Sequence, residues 1–123
     1  MTIYHDPLGL EYEVLRVPEK PSEVVALRVW MESYGLPRLT YPWKSVDPDE
    51  DELFDPRKLR DHQGNTGTVG TYIDPKLGEL VIRNKAGEVL HASVGDAVIW
   101  IFAHEDFTVV KEPAFSAIYT EVL

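Results

Sequence analysis

The sequence predicts a single β-rich α+β domain over residues 1–123, built on an antiparallel meander that forms a small curved sheet or partial barrel with one or two short helices. Three observations predict it. Short apolar runs rich in Val, Ile, Tyr and Phe recur along the chain, most regularly from Thr68 onward. Turn-forming clusters such as Asp74-Pro75-Lys76-Leu77-Gly78 and Asn84-Lys85-Ala86-Gly87 separate them. Nine prolines and eight glycines punctuate the 123 residues, as short strands joined by tight turns require.

The elements follow in order. Glu11–Val17 alternates in part and reads as a strand stopped by Pro18. Val24–Met31 (VVALRVWM) suits either a strand or a short helix; its β-branched residues favour the strand, with Val25, Leu27, Val29 and Met31 on one face. Residues 38–68 form an irregular insertion broken by Pro42, Pro48 and Pro56, where Asp49 is placed to cap a short helix through Asp55. Strands are then expected at Val69–Ile73, Glu79–Asn84 and Glu88–Ala92. Ala97–Ala103 is apolar on both faces and is expected to be the central, most buried strand. Phe107–Val110 pairs back, Glu112-Pro113 begins a short helical or irregular segment, and Ile118–Val122 is expected to end the chain on the sheet.

Composition limits the partners. The net charge of −9 repels polyanions at long range, so duplex DNA and anionic membranes are disfavoured. A small anionic ligand is compatible with a local basic pocket. The chain has no cysteine, hence no disulfide, thiol nucleophile or thiolate metal site. It has no apolar run of about 18 residues, and Met1–Gly9 lacks the pattern of a signal peptide. A cytoplasmic location is expected.

No motif spells out a reaction. The histidines at 5, 62, 91 and 104 lack metal-ligand spacing, and His104-Glu105-Asp106 reads as a polar turn. The acidic run Asp47–Glu52 lacks the glycine and spacing of a calcium loop. Nucleophile elbows and phosphate loops are absent. Gly64-Asn65-Thr66-Gly67-Thr68-Val69-Gly70 lacks the lysine and following helix of a phosphate loop, although its backbone N–H groups suit an anion. One constellation remains. Arg57, Lys58, Arg60 and His62 precede this loop, and Tyr41 and Trp43 lie upstream. Arginine forks bind phosphate and aromatic faces stack on bases, so these six residues form the expected ligand site. The competing reading places Trp43 in the core and pairs the basic run with the acidic one.

Two stretches resemble a small family of phage and prophage proteins of unassigned activity. The first is Lys20-Pro21-Ser22-Glu23-Val24-Val25-Ala26-Leu27-Arg28-Val29-Trp30, similar to the family's Lys-Pro followed by a strand ending in Trp. The second is Val94-Gly95-Asp96-Ala97-Val98-Ile99, followed by Phe107, Phe115 and Tyr119. It departs from the family where Val94 and Ala97 replace a Pro and an aromatic residue around Gly-Asp. The residues themselves explain the second motif structurally: Gly95 supplies positive φ, Asp96 accepts backbone N–H groups two residues on, and Phe107, Phe115 and Tyr119 lock the C-terminal segment onto the sheet. Ligand contact is the alternative.

Phage origin, implied by the resemblance, and the basic and aromatic constellation together give the functional expectation. It is a non-catalytic protein of the bacterial host cytoplasm that sequesters a small nucleotide immune signal, as a homo-oligomer and without a cofactor. A phage structural protein, or an acidic inhibitor that binds a host protein, is the alternative. An enzyme ranks last.

Overall fold

The computed structural model describes residues 2–40, 59–61, 66–67, 69–74 and 79–122. Among them are eleven strands and two helices. The strands are β1 (Thr2–His5), β2 (Glu11–Arg16), β3 (Leu39–Thr40), β4 (Leu59–Asp61), β5 (Thr66–Gly67), β6 (Gly70–Ile73), β7 (Leu80–Arg83), β8 (Val89–Ala92), β9 (Ala97–Ile101), β10 (Asp106–Val110) and β11 (Thr120–Glu121). The helices are α1 (Pro21–Ser33) and α2 (Ala114–Ile118). The domain is α+β, as the sequence predicts, with antiparallel sheets that do not close into a barrel.

The largest sheet runs β10-β9-β2-β1-β11. Its central strand is β2, not β9 as the sequence predicts; β9 lies between β2 and β10 and is buried from Ala97 to Trp100. Alternation along this strand supplies two cores. Val98 and Trp100 face one side with Phe107, while Ala97 and Ile99 face the other with Val14 and Phe115. The first side also receives Leu27 and Met31 of α1, together with Leu80, Ile82 and Ala92 from the sheet β6-β7-β8. Helix α1 is thus held by both sheets. On the opposite side, Phe115 of α2 stacks with Tyr119 at a ring-centroid distance of 5.0 Å. A short sheet, β3-β4-β5, completes the fold.

Three further expectations are corrected. Val24–Met31 is helix, not strand. Pro21 occupies the first turn, where its missing N–H is no loss, and Glu23 lies there with it. Leu27, Trp30, Met31 and Tyr34 then share the face toward the core, while Val25 and Val29 are exposed. The Lys-Pro…Trp stretch therefore lacks the strand conformation expected from the resemblance.

The meander is also interrupted. After β8 the chain leaves the β6-β7-β8 sheet, and β9 pairs with β2. The turn before β9 causes this switch. Gly95 N–H donates to Val17 O at 2.9 Å, and Val17 N–H donates to Asp96 O at 2.9 Å, so the turn is tied to the end of β2. Finally, β9 stops at Ile101, and Phe102 and Ala103 are exposed in the following turn. The expected cap at Asp49 and its helix lie outside the described residues.

Candidate anion-binding region

Of the six expected ligand residues, Tyr41, Trp43, Arg57, Lys58 and His62 lie outside the described residues. Arg60 lies on β4, where its backbone pairs with Thr40 of β3 and Thr66 of β5. Leu59 pairs with Gly67. The end of the basic run and the glycine-rich segment therefore run side by side, although five residues separate Arg60 from Thr66 in the sequence.

Other arginines gather next to this sheet. Leu39 of β3 packs with Tyr72 of β6 and Val81 of β7, and Arg38 bridges Thr71 of β6. Arg28 reaches across from α1. Its Nε donates to Thr71 Oγ1 at 3.0 Å, and its Nη2 donates to Leu39 O at 2.8 Å and Thr71 O at 2.9 Å. These acceptors are neutral. Burial holds the Arg28 guanidinium below its ordinary range, and repulsion from Arg38 lowers it further, while Glu32 opposes both. Glu32 pairs with Arg38 at 3.3 Å. The Arg83 guanidinium lies 5.9 Å from the centre of the Tyr72 ring. Arg28, Arg38 and Arg83 thus concentrate positive charge at the β3–β6 junction of an acidic chain. The sequence reading missed them because they are scattered over 56 positions; only the tertiary fold brings them together.

The buried carboxylates serve the fold. Glu13 accepts hydrogen bonds from Trp30 Nε1 and from Tyr34 OH, the latter at 2.6 Å. Asp106 accepts the N–H groups of Lys85 and Ala86, each at 3.0 Å, and of Phe107. Asp96 accepts Ser93 N–H at 2.9 Å and Lys111 Nζ at 2.8 Å. The acceptor role expected for Asp96 holds, but its backbone donor lies three residues before it rather than two after. Gly95 has the expected positive φ, +90°. Phe115 and Tyr119 pack the C-terminal segment on the β1–β2 side, against Tyr4 and Tyr12. Phe107 belongs instead to the α1 side, beside Trp30 and Trp100.

Among the described residues, no group of three or more His, Asp or Glu side chains is arranged to hold a metal ion. No described helix is long and apolar enough to cross a membrane. Comparison with protein-family models, curated proteins and solved structures finds no match.

Proposed function

We propose that this chain is a non-catalytic binding protein that sequesters a small anionic nucleotide, of the kind that serves bacterial hosts as an immune signal. The observation that carries the reading is the convergence of the Arg60 strand and the glycine-rich segment on a junction already surrounded by Arg28, Arg38 and Arg83. Cations held close together in low dielectric repel one another, and a phosphate placed among them relieves that repulsion. Backbone N–H groups of glycine-rich segments supply further donors to an anion. The buried carboxylates support binding rather than catalysis, because Glu13, Asp96 and Asp106 are each committed to hydrogen bonds that hold elements together.

Isothermal calorimetry with a panel of cyclic di- and trinucleotides and ADP-ribose derivatives tests the reading. A nucleotide should bind tighter than about 100 μM, near −5.5 kcal/mol, and should be recovered intact after heat release. Arg60→Ala should weaken that binding about tenfold, the loss of one charge-assisted hydrogen bond. Absence of any such ligand overturns the reading, and recovery of cleaved nucleotide replaces it with an enzyme. Sedimentation of the free and bound protein reports the expected homo-oligomer. A second reading, docking onto a host protein, is favoured by Leu8 and Leu10, which are 85% and 58% exposed beside the β1–β2 turn of this acidic chain.

A further inference from the structure

A cavity of about 350 Å³ lies between the N-terminal half of α1 and the sheet β6-β7-β8. Val17, Val24, Ile73, Leu80 and Ala92 line it, with half-exposed Val25 and Val94 also at its wall. Helical spacing makes this wall: Pro21, Val24, Val25 and Arg28 recur at i, i+3, i+4 and i+7, and all four line the space. The volume falls within the range of small-molecule sites and holds roughly a dozen non-hydrogen atoms at liquid density.

One lining group is charged and incompletely used. Arg28 spends Nε and Nη2 on Thr71 and Leu39, all neutral acceptors, while its Nη1 has no hydrogen-bond partner among the described residues. A guanidinium carries five N–H donors, so Arg28 retains donors for an anionic ligand oxygen. The other ionisable group on the lining, Glu19, belongs to the exposed turn before α1. An aliphatic enclosure bordered by a partly desolvated cation matches one kind of molecule: an aliphatic chain ending in a single negative charge.

We propose that this cavity binds a medium-chain aliphatic carboxylate of about six to ten carbons, with its chain among Val24, Ile73, Leu80 and Ala92 and its carboxylate on Arg28. The proposal does not rest on nucleotide binding, although the two share Arg28. It concerns the α1 side of β6-β7-β8 and makes no use of Arg60.

The test is titration of the whole protein with butanoate, hexanoate, octanoate, decanoate and dodecanoate, followed by calorimetry and by amide chemical shifts. Octanoate should bind tighter than about 1 mM and shift the amides of Val24, Arg28, Ile73 and Ala92. Each methylene up to ten carbons should tighten binding by at most about fourfold, the value of one buried CH₂. Dodecanoate should gain nothing over decanoate, because the cavity is then full. Octanol should bind at least tenfold more weakly than octanoate. Ala92→Phe and, separately, Val24→Phe should fill the space and abolish binding with the circular dichroism spectrum retained. Arg60→Ala should leave octanoate binding unchanged. Equal binding of octanol, affinity that keeps rising with chain length, or shifts elsewhere on the surface would each overturn the proposal, as would absence of binding. Retained octanoate affinity in whichever filled variant folds overturns it as well.

Discussion

The hydroxyl of Tyr34, at the end of α1, donates a 2.6 Å hydrogen bond to the buried carboxylate of Glu13 on β2. Trp30 donates to the other carboxylate oxygen, and Trp100, opposite Glu13 on β9, stacks on Tyr34 at 4.3 Å. One carboxylate therefore fixes the angle at which the helix lies on the large sheet. Glu13→Ala should cost about 1.5 to 3 kcal/mol, because it removes charged hydrogen bonds and strands two donors. Glu13→Gln should cost less, since its amide oxygen still accepts one of them. Urea unfolding of both variants checks the order, and an unchanged midpoint in Glu13→Ala would show that the helix is held by apolar contacts alone.

The same contact sets a pH dependence. Tyr34 is held above its ordinary value, first by its hydrogen bond to Glu13, then by burial and the negative charge of Glu13. A raised pKa means that the protonated hydroxyl is favoured in the folded state. That contribution is fully present below the ordinary tyrosine range and is lost as pH rises through the folded value. Ultraviolet titration should show one tyrosine ionising at lower pH in Glu13→Gln than in the parent. Tyr12 and Tyr119 are also raised, the first chiefly by Asp6 and the second by burial, and their ionisation should not move.

Gly70 and Gly95 both have positive φ, but for different reasons. At Gly95 φ is +90° and a Cβ would meet nothing within 4 Å. At Gly70 φ is +144°, and a Cβ would lie 2.6 Å from Pro37 O and 2.7 Å from the Leu39 side chain. Gly95→Val should therefore cost only backbone strain, about 1 to 3 kcal/mol. Gly70→Ala adds overpacking to strain and should cost about 3 kcal/mol or more. Thermal unfolding of the two variants gives the comparison, and equal losses would show that crowding at Gly70 relaxes freely.

These two glycines also mark how much of the fold was legible. The Val94-Gly95-Asp96 turn is visible because its local chemistry suffices, and so are most of the strands after Val69. The switch of β9 from β8 to β2 is not visible, because it depends on hydrogen bonds between that turn and Val17, 78 positions away from Gly95. Helix α1 is masked in the sequence for another reason. Val24, Val25 and Val29 have strand propensity, but Val25 and Val29 end on the solvent face, where propensity is cheaply overridden. The decisive signal was Leu27, Trp30, Met31 and Tyr34 at i, i+3, i+4 and i+7, behind a proline at the helix start. Strand β1 is only four residues long, too short to show a pattern of its own. For the candidate site, the sequence placed Arg60 beside the glycine-rich segment. Arg28, Arg38 and Arg83 join them only through the pairing of β3, β6 and β7.

The hairpin between β7 and β8 hangs on Asp106. Its carboxylate accepts the N–H groups of Lys85 and Ala86, which a four-residue turn leaves without strand partners. Asn84 adds a 2.9 Å bond from Nδ2 to Phe107 O. Asp106→Ala should cost about 1.5 to 3 kcal/mol, and native-state hydrogen exchange should speed up first at residues 84–88. If exchange rises uniformly over the domain, the hairpin does not open as a separate unit.

Glu112 gives the acid-side counterpart of Tyr34. Its carboxylate accepts a hydrogen bond from Arg16 of β2, and from Ser116 through Oγ at 2.9 Å and N–H at 3.3 Å. Arg16 also donates to Gly95 O at 3.0 Å, and its guanidinium lies 4.6 Å from the centre of the Phe115 ring. One ion pair therefore ties α2, β2 and the turn before β9 together. The Arg16 hydrogen bond, followed by the Ser116 hydroxyl, holds the Glu112 carboxyl below its usual value against a smaller opposing effect of burial. A depressed pKa means that the ionised form is favoured in the folded state. Its contribution is present above the usual carboxylate range and is lost as pH falls through the folded value. Both partners are partly exposed, so the effect should be small and should weaken in high salt. Glu112→Gln should lower the urea midpoint slightly at neutral pH and flatten its decline on acidification, leaving the two proteins alike once the parent carboxyl is protonated. A decline in Glu112→Gln as steep as in the parent would assign the acid sensitivity to other carboxylates.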